Sequence, residues 1–134
     1  MIKAVVFDYN EVINRRLRLQ PELLDLAKQL RKDGIKTAIL SNIIMPLAWF
    51  IKLRGKMADF EPIVFAYEIG ASKPDTKSYE FIIKKLGLKP QECLFVDNRA
   101  ENIAGAEAVG MHVVMDHDTA QTIEDIKLLL KATR

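Results

Sequence analysis

The sequence predicts an α/β fold, in which a doubly wound parallel sheet lies between two layers of helices. Five short apolar runs alternate with segments of helical spacing along the 134 residues. This alternation is typical of parallel strands joined by right-handed crossover helices. No repeat, low-complexity tract or linker interrupts it, so we expect residues 1–134 to form a single domain.

Each strand is predicted from a short apolar run that ends near a polar residue. In the first run, Val5, Val6 and Phe7 follow one another directly, and Asp8 closes the run. Such a run suits a strand that is covered on both faces, as strands of a parallel sheet are. The predicted strands are residues 3–8, 35–40, 62–67, 90–97 and 112–115.

The helices are predicted from apolar residues at helical spacing and from residues that favour helix ends. Pro21 and Glu22 suit the first turn of a helix, because that turn tolerates proline and favours an acid. Gly34 suits the left-handed position that ends a helix. Thr122 and Asp125 give a weak capping signal for the last helix. The predicted helices are residues 21–32, 46–58, 76–86, 100–109 and a last one from 122 onward.

The composition is that of an ordinary soluble globular protein, with 49% apolar and 28% charged residues. A net charge of +2 gives no reason to expect nucleic acid or an anionic membrane as a partner. The apolar runs are shorter than the ~20 residues of a membrane helix, and Asp8 interrupts what would be the apolar core of a signal peptide. With one cysteine, Cys93, no internal disulfide can form, and we expect a cytoplasmic location.

Four polar side chains follow successive predicted strands. They are Asp8, Ser41, Lys73 and Asp97. The carboxyl ends of parallel strands share one edge of the sheet, and ligands bind at that edge in open α/β sheets. We therefore expect these four side chains to meet around a single anion pocket.

These residue types suit phosphoryl transfer assisted by Mg²⁺. Asp8 and Asp97 could hold the ion, which takes few protein carboxylates and also binds substrate phosphate. Asp8 could also attack phosphorus and form an aspartyl-phosphate. Ser41 and Asn42 precede a predicted helix and could bind phosphoryl oxygens, and Lys73 would neutralise charge on the nucleophile and the transferred group.

The same residues stand in four segments that resemble the motifs of the haloacid dehalogenase-like hydrolase superfamily. The segments are residues 7–13, 40–42, 70–75 and 94–98, with Gly105-Ala106 and Gly110-Met111 after the last one. The resemblance covers nearly the whole chain in the right order. It implies a three-layer Rossmann-like core with strand order 5-4-1-2-3, bound Mg²⁺ and usually phosphatase activity.

Carried over residue by residue, the resemblance implies a role for each position. Asp8 matches the nucleophile, Lys73 the lysine of the third motif, Ser41 the phosphate-binding hydroxyl and Asp97 a metal ligand. The residue at the position of Asn10 normally gives its backbone carbonyl to the metal. The expected set is Asp8 and Lys73 for catalysis, Ser41, Asn42 and Asn10 for the substrate, and Asp8, Asn10 and Asp97 for the metal.

Some positions depart from the family pattern. Phosphatases of the family usually have Asp in place of Asn10, and that Asp protonates the leaving group and later activates water. An amide cannot exchange a proton in this way, and general acid–base catalysis contributes roughly 10²–10⁴-fold. Glu11 is a candidate substitute acid. Asn98 replaces a frequent second Asp, and Glu101 is a candidate second or outer metal ligand.

Three functions stay open at this point. The first is a Mg²⁺-dependent phosphatase that acts through Asp8 and is slowed or specialised by Asn10. The second is a metal-free 2-haloacid dehalogenase, because a halide leaves without a proton and needs no acid at position 10. The third is an inactive module that binds phosphate or another protein.

Many relatives insert a cap domain where this chain has only residues 14–19 before its first predicted helix. We therefore expect a member with no separate cap domain and an open site. An open site indicates either a large substrate or a second copy of the chain that covers the site as a homo-oligomer. The expected partner is a phosphorylated small molecule or macromolecule. Arg15, Arg16 and Arg18 lie near the Asp8 edge, where they either contact an anionic substrate or stay solvated.

Overall fold

A five-stranded parallel sheet forms the centre of the computed structural model, which describes residues 1–10, 12–15, 18–43 and 57–134. Its strands are β1 (Ala4–Phe7), β4 (Lys36–Ser41), β5 (Ile63–Phe65), β6 (Cys93–Asp97) and β7 (His112–Met115). They lie in the order β5-β4-β1-β6-β7. Counted among these five strands alone, this is the predicted order 5-4-1-2-3 read from the opposite edge. The predicted Rossmann-like α/β fold is therefore confirmed.

A short antiparallel hairpin lies between β1 and the first helix. It consists of β2 (Asn14–Arg15) and β3 (Arg18–Leu19), with Asn14 opposite Leu19 and Arg15 opposite Arg18. The sequence predicts only an irregular polar stretch here, because strands of two residues show no usable alternation of apolar and polar positions.

The helices cover both faces of the sheet. Within the described residues the α-helices are α1 (Pro21–Lys32), α2 (Ala66–Ile69), α3 (Thr76–Leu86), α4 (Ala100–Ala108) and α5 (Thr119–Ala132). Successive side chains of a strand point to opposite faces. Val5 and Phe7 accordingly belong to the core cluster that contains the buried residues of α1 and α5. Ala4 and Val6 belong to the cluster that contains those of α3 and α4, which gives the three layers.

Several predicted boundaries are wrong by two or three residues. The fourth predicted strand begins at Cys93, because Pro90–Glu92 form a short 3-10 helix. The third predicted strand ends at residue 65, because α2 begins directly after it. The last helix begins at Thr119, three residues before the predicted start. Asp118 caps it by accepting a hydrogen bond from the Gln121 backbone N–H at 2.8 Å. Thr122 is instead buried, and its hydroxyl donates to Asp116 Oδ1 at 2.5 Å.

The predicted helix 46–58 lies outside the described residues except for residues 57 and 58, which lie in a turn. Glu11 and Arg16 also lie outside them. No helix within the described ranges is long and apolar enough to cross a membrane.

Gly105 lets α4 pack closely against the loop that precedes α3. A Cβ atom at this position would lie 2.8 Å from the Pro74 carbonyl oxygen and 2.9 Å from the Tyr79 hydroxyl. The Tyr79 hydroxyl donates to the Asn102 carbonyl at 2.7 Å. The missing side chain at Gly105 therefore helps to fix the loop that carries Lys73.

Replacing Gly105 with alanine should destabilise the fold by about 1–3 kcal/mol, as overpacking of a filled interior does. Helix propensity alone would favour alanine by roughly 0.5–1 kcal/mol. A loss of unfolding free energy would therefore show that the close contact at Gly105 outweighs helix propensity. Urea unfolding measures it. Ala104→Gly, at the preceding exposed position, is the control and should lose about 1 kcal/mol through propensity only. A Gly105→Ala variant more stable than the wild type would contradict the packing argument.

Candidate active site

The carboxyl edge of the sheet brings together three of the predicted site residues. Asp8 directly follows β1, and its backbone N–H donates to the Val96 carbonyl of β6 at 2.9 Å. Ser41 and Asp97 are the last residues of β4 and β6, the two strands that pair with β1. Parallel pairing on both sides of β1 therefore places two carboxylates and a hydroxyl at adjacent strand ends.

Lys73 supplies the positive charge between the two carboxylates. Its ammonium Nζ donates to Asp8 Oδ1 at 2.7 Å, to Asp97 Oδ2 at 3.0 Å and to the Leu40 carbonyl at 2.9 Å. The Lys73 side chain is 1% exposed and that of Asp97 is fully buried. Three partners satisfy the three donors of the ammonium group, which makes this arrangement compatible with burial.

Asn42 holds the backbone of Lys73 in place. Its amide Nδ2 donates to the Lys73 carbonyl at 3.2 Å, and its Oδ1 accepts from the Lys73 backbone N–H at 3.0 Å. These two bonds join the end of β4 to the loop before α3. The structure thus gives Asn42 a positioning role, and its predicted contact with substrate stays a prediction.

Ser41 and Asn10 lie at the cleft in different settings. Ser41 is buried, and its Oγ accepts a hydrogen bond from the Ile43 backbone N–H at 3.2 Å. A hydroxyl that accepts one bond still has its own proton to donate. Asn10 is exposed at the rim, where its backbone forms an isolated bridge with Asn14.

Asn102 is a site residue that the sequence analysis does not single out. This buried residue of α4 donates from Nδ2 to Asp97 Oδ2 at 3.1 Å. Asp97 Oδ1 accepts the Arg99 backbone N–H at 3.0 Å. The available signal is weak: Asn102 is an amide on the inner side of a helix built mostly of small residues. Its role follows from the fold, which turns this amide toward Asp97.

These residues line a cleft of about 480 Å³. Four asparagine side chains contribute to its walls, and they are accompanied by Arg99 and Glu101. The Glu101 carboxylate lies 3.7 Å from Arg99 Nη1, and both side chains are more than half exposed. The lining residues are Asp8, Asn10, Ser41, Asn42, Ile43, Lys73, Pro74, Asn98, Arg99, Glu101 and Asn102.

Arg15 is engaged elsewhere. Its Nη2 lies 2.5 Å from Asp116 Oδ2, at the end of β7. Arg18 is exposed on β3. Of the two alternatives for this basic segment, contact with an anionic substrate or solvation, neither describes Arg15, which pairs with a buried carboxylate.

Burial raises the pKa of Asp8 from 3.8 to about 6, with the negative charge of Asp97 acting in the same direction. The Lys73 ammonium opposes both effects. With both carboxylates ionised, two negative charges face one positive charge. The site therefore carries an excess negative charge that would favour a cation.

The donor set fits Mg²⁺. Among the described residues, no cluster of three or more His, Cys, Asp or Glu side chains is present, but magnesium needs only one or two carboxylates together with waters and substrate phosphate. Asp8 keeps 11% of its side chain exposed at the cleft, so a carboxylate face is accessible to an ion. Oxygen ligands with a net negative charge are the environment this ion prefers.

Comparison with known proteins identifies the family. A profile described as a haloacid dehalogenase-like hydrolase matches residues 2–110. The chain belongs to the haloacid dehalogenase-like hydrolases. Among curated relatives of this hydrolase, the glyceraldehyde 3-phosphate phosphatase of Methanopyrus kandleri is 29% identical over 116 residues, which cover 85% of this chain and 50% of the relative. The chain thus spans about half the length of that relative.

Solved structures show the same fold. An uncharacterised protein from Corynebacterium glutamicum superimposes on this hydrolase with a TM-score of 0.86 at 22% identity, covering 94% of this chain and 93% of that one. An Asp-to-Ala mutant of a family enzyme from Bacteroides thetaiotaomicron gives a TM-score of 0.74 at 17% identity, over 87% and 95% of the two chains. That enzyme was crystallised with magnesium and inorganic phosphate.

Replacing Asp8 with asparagine should stabilise the metal-free hydrolase at neutral pH. A carboxyl whose pKa is raised by folding stabilises the fold below its unfolded pKa near 3.8 and loses that contribution as the pH rises to about 6. Since one pKa unit corresponds to roughly 1.4 kcal/mol, we expect a gain of about 3 kcal/mol for Asp8→Asn at pH 7.5. Urea unfolding in EDTA at pH 4, 6 and 7.5 measures it.

Asp97→Asn is the matched control and should change stability in the opposite direction. Asp97 accepts hydrogen bonds on both oxygens, from Lys73, Asn102 and the Arg99 backbone. The amide nitrogen introduced by this substitution would face the N–H donors that Asp97 accepts. Removing one partner of a buried ion pair destabilises the fold by about 3 kcal/mol. If both variants were destabilised equally at pH 7.5, the charge excess would not lie on Asp8.

Proposed function

We propose that this hydrolase is a Mg²⁺-dependent phosphatase in which the Asp8 carboxylate is the nucleophile. The observation that carries the proposal is the Lys73 ammonium, which donates to both Asp8 and Asp97 within 3.0 Å. A carboxylate can attack an anionic phosphate ester only where nearby positive charge offsets the repulsion. Asp8, Asp97 and the Asn10 backbone carbonyl would hold the metal, which would neutralise charge on the transferred phosphoryl group when bound.

In the first step, an Asp8 oxygen attacks phosphorus and the bond from phosphorus to the leaving oxygen breaks. The electron pair of that bond stays on the leaving oxygen. Lys73 and the Ser41 hydroxyl stabilise the negative charge on the phosphoryl oxygens. Asp8 has to be ionised to attack, and with a pKa of about 6 it is mostly ionised at pH 7 and above.

In the second step, water attacks the phosphorus of the aspartyl-phosphate. The bond from phosphorus to Asp8 breaks, which releases phosphate and restores the carboxylate. Asn10 lies at the rim, and its amide cannot act as a general acid or base. The leaving oxygen therefore takes its proton from solvent, and leaving groups that depart as stable anions are favoured.

Two comparisons support this function. The Methanopyrus kandleri relative is named as a phosphatase of a small phosphorylated aldehyde. The Bacteroides thetaiotaomicron structure, with its magnesium and phosphate, has the same fold. The amide-rich walls of the cleft supply hydrogen bonds to a hydrophilic substrate. We infer a phosphate monoester of a polar molecule.

The test is the hydrolysis of p-nitrophenyl phosphate by the wild type, with added Mg²⁺ and with EDTA, and by the Asp8→Asn variant with added Mg²⁺. Turnover should require the metal and should fall by at least about 10³-fold without the nucleophile, as removal of a covalent catalyst does. Asp33→Asn, an exposed carboxylate after α1, is the control and should retain full activity. Turnover that persists in Asp8→Asn would exclude this mechanism.

Asn10→Asp should raise activity, and more for poor leaving groups than for good ones. A carboxylic acid at the cleft rim would protonate the leaving oxygen, a contribution of roughly 10²–10⁴-fold. An alkyl phosphate such as glycerol phosphate should gain most of this factor, whereas p-nitrophenyl phosphate should gain little in its first step. Steady-state kcat/KM for both esters measures the difference. If both esters gained equally in kcat/KM, the effect of the Asn10→Asp substitution would not arise from protonation of the leaving group.

The amide at Asn10 also favours a second candidate, a hydrolase of 2-haloacids. An Asp8 oxygen would form an ester bond to C2 of the haloacid as the carbon–halogen bond breaks, and the halide departs without a proton. Water would then hydrolyse the ester, which releases the 2-hydroxy acid and restores the carboxylate. Release of chloride from 2-chloropropionate that is unaffected by EDTA would favour this reaction over phosphate ester hydrolysis. If neither substrate is turned over but Mg²⁺ or phosphate raises the melting temperature, the chain acts as a binding module.

A further inference from the structure

The hairpin β2–β3 is tied to the far edge of the sheet. Arg15, on β2, pairs with Asp116 directly after β7, at an Nη2–Oδ2 distance of 2.5 Å. Arg15 Nη1 also donates to the His117 carbonyl at 3.3 Å. These contacts join segments about 100 residues apart in the sequence, on opposite sides of Asp97.

Asp116 is suited to be a rigid anchor. Its side chain is fully buried, and its second oxygen accepts the Thr122 hydroxyl at 2.5 Å. Its backbone N–H donates to the Asp97 carbonyl at 2.8 Å. A buried carboxylate with a charged partner on one oxygen and a hydroxyl on the other has little freedom to move.

The other end of this connection reaches Asn10. The Asn14 backbone N–H donates to the Tyr9 carbonyl at 2.8 Å, and Asn14 forms the bridge with Asn10. The Gln20 backbone N–H donates to the Ile13 carbonyl at 2.8 Å and closes the base of the hairpin. Asn10 therefore depends on the hairpin for its place, whereas Asp8 is held by β6.

We propose that Arg15 and Asp116 are positioning residues, whose ion pair fixes the hairpin and thereby holds Asn10 at the rim of the cleft. The consequence for turnover rests on the proposed phosphatase function; the placement of Asn10 does not. Arg15 thus serves the site from a distance and is not a contact for the substrate.

The first experiment follows the placement of Asn10 by NMR, without any substrate. The Asn10 side-chain amide signals, assigned with Asn10→Asp, are compared in the wild type, Arg15→Met and Asp116→Asn. Both variants should shift or broaden these signals and speed hydrogen exchange at the Asn14 and Gln20 amides. The Asn102 side-chain amide, which reports the Asp97 end of the site, should stay unchanged.

Arg18→Met, on the neighbouring strand of the same hairpin, is the matched control and should leave all of these signals in place. Arg15→Lys keeps the charge but not the reach of two guanidinium nitrogens, and it should give an intermediate change. This milder variant also decides the matter if Asp116→Asn does not fold. Unchanged Asn10 signals in Arg15→Met and in Arg15→Lys would overturn the proposal.

The second experiment measures kinetics with p-nitrophenyl phosphate and the rise in melting temperature with Mg²⁺ alone. Arg15→Met should lower kcat/KM by about 10- to 100-fold, as a small misplacement of a site group does, and should reduce the metal-induced rise, because the Asn10 backbone carbonyl would be one of the groups that hold the metal. A merely structural role would lower the melting temperature and leave kcat/KM intact, which would overturn the positioning role. If the wild type shows no turnover at all, the phosphatase function fails while the NMR result still decides the anchor.

Discussion

The buried ammonium of Lys73 is the interaction on which the rest of the site depends. Two carboxylates at adjacent strand ends would repel each other in a desolvated setting, and either would be protonated without a counter-charge. Lys73 offsets both, and the Leu40 carbonyl uses its third proton. A point charge held this tightly fixes the positions of the two carboxylates relative to each other.

Contacts from the surrounding elements hold the loop of Lys73 in position. Asn42 binds its backbone from the end of β4. Asp75 caps α3 two residues later by accepting the Lys77 backbone N–H, and Gly105 leaves room for Pro74. Each contact arises from a different element, so the loop position is overdetermined. Such redundancy is what keeps an unfavourable group of buried charges in one geometry.

The sequence could predict the strands and the polar groups Asp8, Ser41 and Asp97 at their ends because both are local signals. An uninterrupted apolar run such as Val5–Phe7 indicates a strand that is buried on both faces. A polar residue directly after the run indicates where the strand leaves the core. The roles of Asn102 and Asn42 could not be predicted in this way. Both are amides whose partners lie elsewhere in the fold, and only tertiary packing decides that one meets a carboxylate and the other a backbone. The Arg15–Asp116 pair could not be predicted for the same reason, since its two residues are 101 positions apart in the sequence.

The placement of Asn10 gives the site two separately supported halves. Asp8 and Asp97 belong to the sheet and are fixed by Lys73, whereas Asn10 belongs to a turn that the hairpin supports. The charge excess sits entirely on the sheet half, where burial raises the pKa of Asp8. An uncharged amide on the hairpin half adds nothing to that excess, so a change at position 10 alters proton transfer without disturbing the buried charges. Under the proposed mechanism, a substitution at position 10 would therefore change leaving-group chemistry while Asp8 and Lys73 keep their arrangement.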